Sequence, residues 1–331
     1  MNYVGNTAVT LGCDPEFFFM RDGKVVPSTE LIKKVRGASV IPDGFQGELN
    51  PQASFCREIA ATKIAQALEE ARDIAGINKC TLDFSVGHTI DDETWKRTPI
   101  LTKRFGCNPT ENINKEKHRL VTGLREKYRC AGGHIHLGLD YIVRNRKDTE
   151  KLIKVMDILV GNTFVMLDRD PDNARRRKFY GRAGEFRNKP YGVEYRTLSN
   201  FWLKSYTLYS IATGLVRNSA SAVANGWADA LLEKFDMNDI REAINNNDYD
   251  KAFANWKKVR AFYLKHNITS YAGLCSTNVR YFEKLLTCTD VLKEIDCDTE
   301  DKQRRSWQDR LYGGGTGMES FLEEKYDCPE S

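Results

Sequence analysis

Residues 129–139 read Arg-Cys-Ala-Gly-Gly-His-Ile-His-Leu-Gly-Leu. Side chains at i and i+2 of a strand share a face, so a strand from Arg129 to Leu139 sets His134 and His136 together, alternating with Ile135 and Leu137. Gly132 and Gly133 precede them and, lacking side chains, would let a ligand come close to the backbone. Two imidazoles on one face read in two ways, as metal ligands or as core histidines bonded to backbone carbonyls.

Working outward, the same spacing recurs in three more strand candidates. In Val193 to Leu198, Glu194 and Arg196 alternate with Val193, Tyr195 and Thr197. In Phe45 to Asn50, Gln46, Glu48 and Asn50 share a side. In Val9 to Phe19, Asp14 and Glu16 take one face while Cys13, Phe17 and Phe19 take the other. Any one acidic pair reads best as the wet side of a half-exposed antiparallel strand. Four polar faces leave a sheet nowhere to lay its helices, so an enclosed polar cavity is the more economical reading. Carboxylates, imidazoles and guanidinium groups in one cavity suit a divalent cation together with phosphate.

The remaining pattern is mixed. Arg21-Asp22-Gly23-Lys24 carries hairpin turn chemistry before Val25-Val26-Pro27. A helix is expected from about Phe55, capped by Ser54 and stopped at Gly76, with Ile59, Ile64, Leu68 and Ile74 as its apolar stripe. Leu82, Phe84 and Val86 alternate as in a strand, followed by a polar connection from Thr89 to Asn114. A helix capped by Asp148 or Thr149 carries Leu152, Val155, Met156, Leu159 and Val160 and ends before Pro171. An arginine-rich loop follows, with Arg175, Arg176, Arg177, Lys178, Arg182 and Arg187. Beyond Asn200 the pattern is helical, around Tyr206 to Ala224, Asp239 to Ile244, Tyr249 to Lys265 and Val279 to Thr287. Gly313-Gly314-Gly315 lacks the lysine and hydroxyl of a P-loop and reads as a turn.

Composition sets bounds. At 331 residues, with 41% apolar and 11% aromatic residues, the chain is globular, with room for a large catalytic domain and an appendage. A net charge of +4 is too weak by itself to argue for nucleic acid or a membrane surface, and neither is expected as a partner. Nine cysteines without paired short spacings read as reduced thiols, and neither a signal sequence nor an apolar span is evident, so a cytoplasmic location is expected.

Gly12-Cys13-Asp14-Pro15-Glu16-Phe17-Phe18-Phe19 resembles the acidic strand of glutamine synthetase, with Asp14 in place of a glutamate. Ala131 to Gly138 and Tyr191 to Trp202 resemble that superfamily's histidine strand and closing Glu-x-Arg, in the same order. More closely, these motifs resemble the phage-type carboxylate-amine ligases of type two, compact relatives of glutamine synthetase and glutamate-cysteine ligase. The resemblance covers roughly the first 205 residues. It implies an α+β fold: a glutamine synthetase-like core of curved, mainly antiparallel sheet packed by helices over residues 1–205, with a mostly helical region over 206–331.

The resemblance further implies that Asp14, Glu16, Glu48, His134 and Glu194 hold magnesium, with manganese as a substitute. Asp43 stays outside this set, because its spacing to Glu48 is shorter than in glutamine synthetase. Arg196 and Arg187 would bind phosphate or the substrate carboxylate, His136 would lie close to the phosphates, and Arg182 and Arg176 would help hold ATP. The implied reaction joins a carboxylate to an amine of an amino acid, peptide or protein side chain through an acyl-phosphate, in the host cytoplasm if the chain is phage-encoded. The segment Thr89 to Asn114 or the arginine-rich loop would serve as a lid that excludes water.

Three rivals stand beside it. A guanidino kinase resembles the same broad fold. A zinc hydrolase would need ligands beyond His134 and His136, and His88, His118 and His266 have no metal-binding spacing. A non-catalytic phage-associated binding protein would have no need of the ordered acidic and basic set.

Overall fold

The computed structural model describes residues 9–33, 35, 37–104, 110–114, 124–138, 145–266 and 279–311. The Gly313-Gly314-Gly315 stretch lies outside the described residues, as does part of the proposed lid segment 89–114.

The opening strand is two strands. β1 (Thr10–Cys13) and β2 (Glu16–Arg21) are separated at Asp14-Pro15. Proline has no N–H to continue a ladder and fixes its own φ, so the chain turns there and passes from one sheet to another. The hairpin prediction holds: β2 turns through Asp22 (φ 49°) and Gly23 (φ 72°) into β3 (Lys24–Val26). Positive φ at both central residues is the geometry that matches strand twist, and glycine adopts it without strain.

β4 (Val40–Asp43), which the sequence pattern did not show, pairs with β5 (Gln46–Leu49), and β5 with β2. β6 (Thr81–Asp83) completes this antiparallel sheet along β2. The stretch 129–139 likewise divides. β9 (Tyr128–Cys130) pairs with β7 (Gly87–Thr89), whereas β10 (Ile135–Gly138) joins a different sheet, ordered β1-β10-β12-β11-β8. Here β8 is Glu111–Asn112, β11 is Glu185–Lys189 and β12 is Gly192–Tyr195. Every pairing is antiparallel. The chain is therefore α+β, and β11 is a strand that its arginine content disguised as loop.

Gly132 and Gly133 serve packing rather than ligand approach. A Cβ on Gly133 would lie 2.1 Å from the Ser199 carbonyl, and one on Gly132 would lie 2.4 Å from the His134 ring. The two residues let the chain pass between sheets while His134 folds back over it.

The helix Arg57–Ile77 starts after Cys56, with no side-chain cap, and buries Ala60, Ala61, Ile64, Ala65, Ala67, Leu68, Ala71 and Ala75. Of the expected stripe, Ile64 and Leu68 are buried and Ile74 packs against the core, whereas Ile59 is 51% exposed and alanines fill the rest of the packed face. Asn145, not Asp148 or Thr149, caps the next helix by accepting from the Asp148 N–H. That helix runs from Arg146–Met156 through a wider π turn at Asp157–Gly161 into Asn162–Leu167. Its buried Asp157 accepts from the Tyr195 hydroxyl at 2.8 Å, tying the helix to the back of β12. The predicted helices Tyr206–Ala224, Tyr249–Lys265 and Val279–Thr287 are all present.

One apolar cluster runs from Leu11 and Ile135 through Trp202 and Tyr209 to Trp307, so helices beyond residue 205 contribute to the same core as the sheet. With apolar side chains filling the back of the β1-β10-β12-β11-β8 sheet, the polar alternates are left on its front.

Candidate active site

Register sets the polar residues side by side. His136 stands opposite both Gly12 and Glu194, and Arg187 opposite Glu194. His134 and Arg196 extend the same face. In the other sheet Glu16 pairs directly with Glu48, and Asp43 with Gln46. Backbone bonds Asp14 N–H to His134 O (3.4 Å) and Glu16 N–H to Gly132 O (2.8 Å) carry the pairing through the Pro15 corner. Asp14 and Glu16 therefore do not share one strand face as read from sequence. The corner turns each towards its own sheet, and both reach one site.

Two sets of three ligands result. Asp14, His134 and Glu194 offer donor atoms within 4.8 Å of one another, and so do Glu16, Asp43 and Glu48. Asp43, left out on spacing grounds, belongs with the second set. The β4–β5 hairpin brings it alongside Glu48, which a linear spacing rule does not register.

The first set is braced on all sides. His134 Nδ1 lies 3.1 Å from Asp14 Oδ1 and 3.7 Å from Glu194 Oε1, and His136 Nε2 lies 3.1 Å from Asp14 Oδ2. Burial, reinforced by the Arg196 charge, pulls the His134 imidazole down to about 4, so at neutral pH it is uncharged and fit to coordinate. Burial alone would raise Asp14, yet His134 and His136 outweigh it and hold this carboxyl well below the usual range. Glu194, fully buried, is likewise brought down to about 2, as Arg196 and His134 overcome the burial penalty.

Glu194 is also the anchor of a cationic row. It accepts from Arg196, from Arg187 at 3.3 Å, and from Lys189 at 2.7 Å. Lys189 was not singled out in the sequence. Its signal is the i+2 spacing from Arg187, which becomes visible only once residues 185–189 are known to be a strand.

The second set is short of cations. Burial first, then the Asp43 charge, raises Glu16 to about 7, although the Tyr180 hydroxyl (2.7 Å) and the Gly132 N–H (2.6 Å) both donate to it. Burial and the charges of Asp14 and Glu16 raise Glu48 to about 9. Carboxyls that like charge keeps protonated are a natural seat for a hard divalent cation, which would supply the missing positive charge.

The sign of the pH effect follows. Each carboxyl would have to lose its proton to coordinate, so the affinity of this set for a cation would rise with pH towards 9 and fall below 7. Manganese binding at pH 7.5 should release about one proton, seen as a calorimetric heat that varies with the buffer's ionisation enthalpy; a buffer-independent heat would show carboxylates already ionised. Without the cation, the raised values favour the fold at low pH, and that contribution is lost as pH rises through 7 to 9.

The arginine-rich segment divides in use. Arg176 is fully buried and donates to the carbonyls of Thr197 (2.9 Å), Arg196 (3.3 Å) and Leu198 (2.6 Å). It therefore braces the chain leaving β12 instead of contacting ATP as expected, because the carbonyls take up its guanidinium. Gly181 (φ 83°) makes the room, since a Cβ there would lie 2.3 Å from the Arg176 guanidinium. Arg182 donates through Nε to the Arg177 carbonyl at 2.8 Å. Gln46 is likewise structural, donating to the Cys130 carbonyl at 2.9 Å. His136 completes the site with its Nδ1 2.7 Å from the Tyr191 hydroxyl.

A family model described as phage phiEco32-like COOH.NH2 ligase-type 2 matches residues 107–307. The chain belongs to this family. No curated protein matches it. The stretch that places it among the COOH.NH2 ligases holds His134, His136, Arg187, Glu194 and Arg196, and it continues into helices where the sequence offered no motif. Asp14, Glu16, Asp43 and Glu48 precede the matched stretch. The segment before the matched stretch thus carries the whole second candidate set and one member of the first. Among the described residues no helix is long and apolar enough to cross a membrane.

Proposed function

We propose that the protein is an ATP-dependent carboxylate-amine ligase with a glutamine synthetase-like core that activates its substrate as an acyl-phosphate. The observation that carries this reading is the pair of facing ligand sets, Asp14–His134–Glu194 and Glu16–Asp43–Glu48, with Arg187, Lys189 and Arg196 aligned on one side. Phosphoryl transfer demands divalent cations and fixed cationic side chains together.

Bound magnesium would supply charge neutralisation at the phosphate oxygens. The carboxylates and His134 would hold it, the Glu16 side from one sheet and the Glu194 side from the other. Arg196 and Arg187, oriented by Glu194, would steady the transferring phosphoryl group. A substrate carboxylate oxygen bonds to the terminal phosphorus as the bond to ADP breaks. The amine nitrogen then bonds to the acyl carbon, phosphate leaves with the former carboxylate oxygen, and the amine gives up a proton. Tyr180 holds Glu16 in place throughout, donating from a residue 164 positions away.

Hydroxylamine separates this reading from the kinase alternative. With ATP, magnesium and a panel of amino-acid and peptide carboxylates, the full chain should form hydroxamate with equimolar ADP. ADP release without hydroxamate, with a stable phosphorylated guanidino product, would favour the kinase. Stoichiometric, tightly held zinc would replace the magnesium assignment.

A further inference from the structure

Beside His136 a cleft of about 790 Å³ runs away from the carboxylates, between the outer end of β1 and β10 and the helix Arg57–Ile77. The reaction steps above make no use of it. Its floor is low at Gly12 and Gly138, and the Thr10 side chain lies over Gly138. At its inner end stand His136, bonded to Asp14, and Tyr191.

The wall is charged in a particular way. Lys63, Gln66 and Glu70 project from one helix face, at i, i+3 and i+7. Lys63 donates to Gln52 at 2.9 Å, and Glu70 accepts from Ser39; both partners are neutral and line the same cleft. Among the described residues neither charge has an ion-pair partner. The cleft therefore offers one oriented cation and one oriented anion, ~10 Å apart along the helix at 1.5 Å per residue.

We infer that this cleft binds a free short peptide, of about three residues, as one of the two substrates; the inference rests on the ligase reading for the word substrate. Three extended residues span ~10 Å, matching the separation of the wall charges. The volume falls in the range that holds a ligand of that size, whereas a single amino acid would leave most of it open. Among the described residues lining the cleft one lysine stands with one glutamate, whereas the row of cations suited to phosphates is gathered at Glu194. Lys63 meets the peptide's carboxylate and Glu70 its terminal ammonium.

The test uses the full chain without ATP. A pool of free tripeptides and a pool of free amino acids are incubated with it, and retention on ultrafiltration is measured by mass spectrometry. Tripeptides should be retained about tenfold more than amino acids, and acetylation of their amines should remove the excess. Lys63→Glu and Glu70→Lys should each lower retention about tenfold, the equivalent of ~1.4 kcal/mol, while Lys63→Arg keeps it. If either charge reversal lowers Tm, Lys63→Met and Glu70→Gln are read instead. Equal retention of the two pools, no retention, or indifference to all wall substitutions overturns the peptide cleft. A failed hydroxamate assay with intact peptide retention overturns the ligase reading alone.

Discussion

Glu16→Ala and Glu194→Ala should each abolish ATP turnover, with losses of ~10³-fold or more. A cation at a phosphoryl group is worth several kcal/mol of transition-state stabilisation, and each 1.36 kcal/mol is tenfold in rate. The two variants should differ in their side effects. Glu194 is fully buried against Arg196, so its removal leaves a buried guanidinium short of its partner and also lowers stability. Glu16 accepts from neutral groups, Tyr180 and the Gly132 amide, so Glu16→Gln keeps an acceptor for both and removes only the charge. That variant should unfold at no lower a temperature and still lose nearly all turnover. Undiminished turnover in both alanine variants would refute the site assignment.

Arg176→Met should cost stability rather than nucleotide affinity, by ~3–5 kcal/mol. Removing the guanidinium strands the carbonyls of Arg196, Thr197 and Leu198 in a buried setting, and each orphaned acceptor costs ~1–3 kcal/mol. The methionine fills much of the volume, so the loss reports hydrogen bonding. Denaturant titration should show the lowered midpoint, and nucleotide affinity measured well below it should stay within about twofold. Unchanged stability with weakened nucleotide binding would return Arg176 to the phosphate site.

The candidate site was legible in the sequence where its pattern is local. Glu16, Glu48, His134, Glu194 and Arg196 were legible because alternation along a strand is local. Each is polar where its neighbours are apolar, and no distant residue is needed to see it. The long helices at Tyr206–Ala224 and Tyr249–Lys265 were legible for the same reason, their period being contained in their own residues. Arg176 misled because an arginine's role is set by what it meets, and its carbonyl partners begin 20 positions downstream. Asp43 and Lys189 escaped because each becomes a site residue only through pairing, Asp43 across the β4–β5 hairpin and Lys189 on a strand disguised by its charges.

The sequence by itself determined the chemical inventory: carboxylates, imidazoles and guanidinium groups in a fixed order, each presented on a strand face. Tertiary structure decided how they are divided. Pro15 and Gly132-Gly133 break two apparent strands and send their halves to different sheets, so two candidate ligand sets form, with Arg187, Lys189 and Arg196 paired to Glu194 of the first. The reason is physical. Alternation specifies which side a residue faces, but the state of a carboxyl depends on its burial and on charges that folding brings from far along the chain, and together these hold Glu194 near 2 and Glu48 near 9.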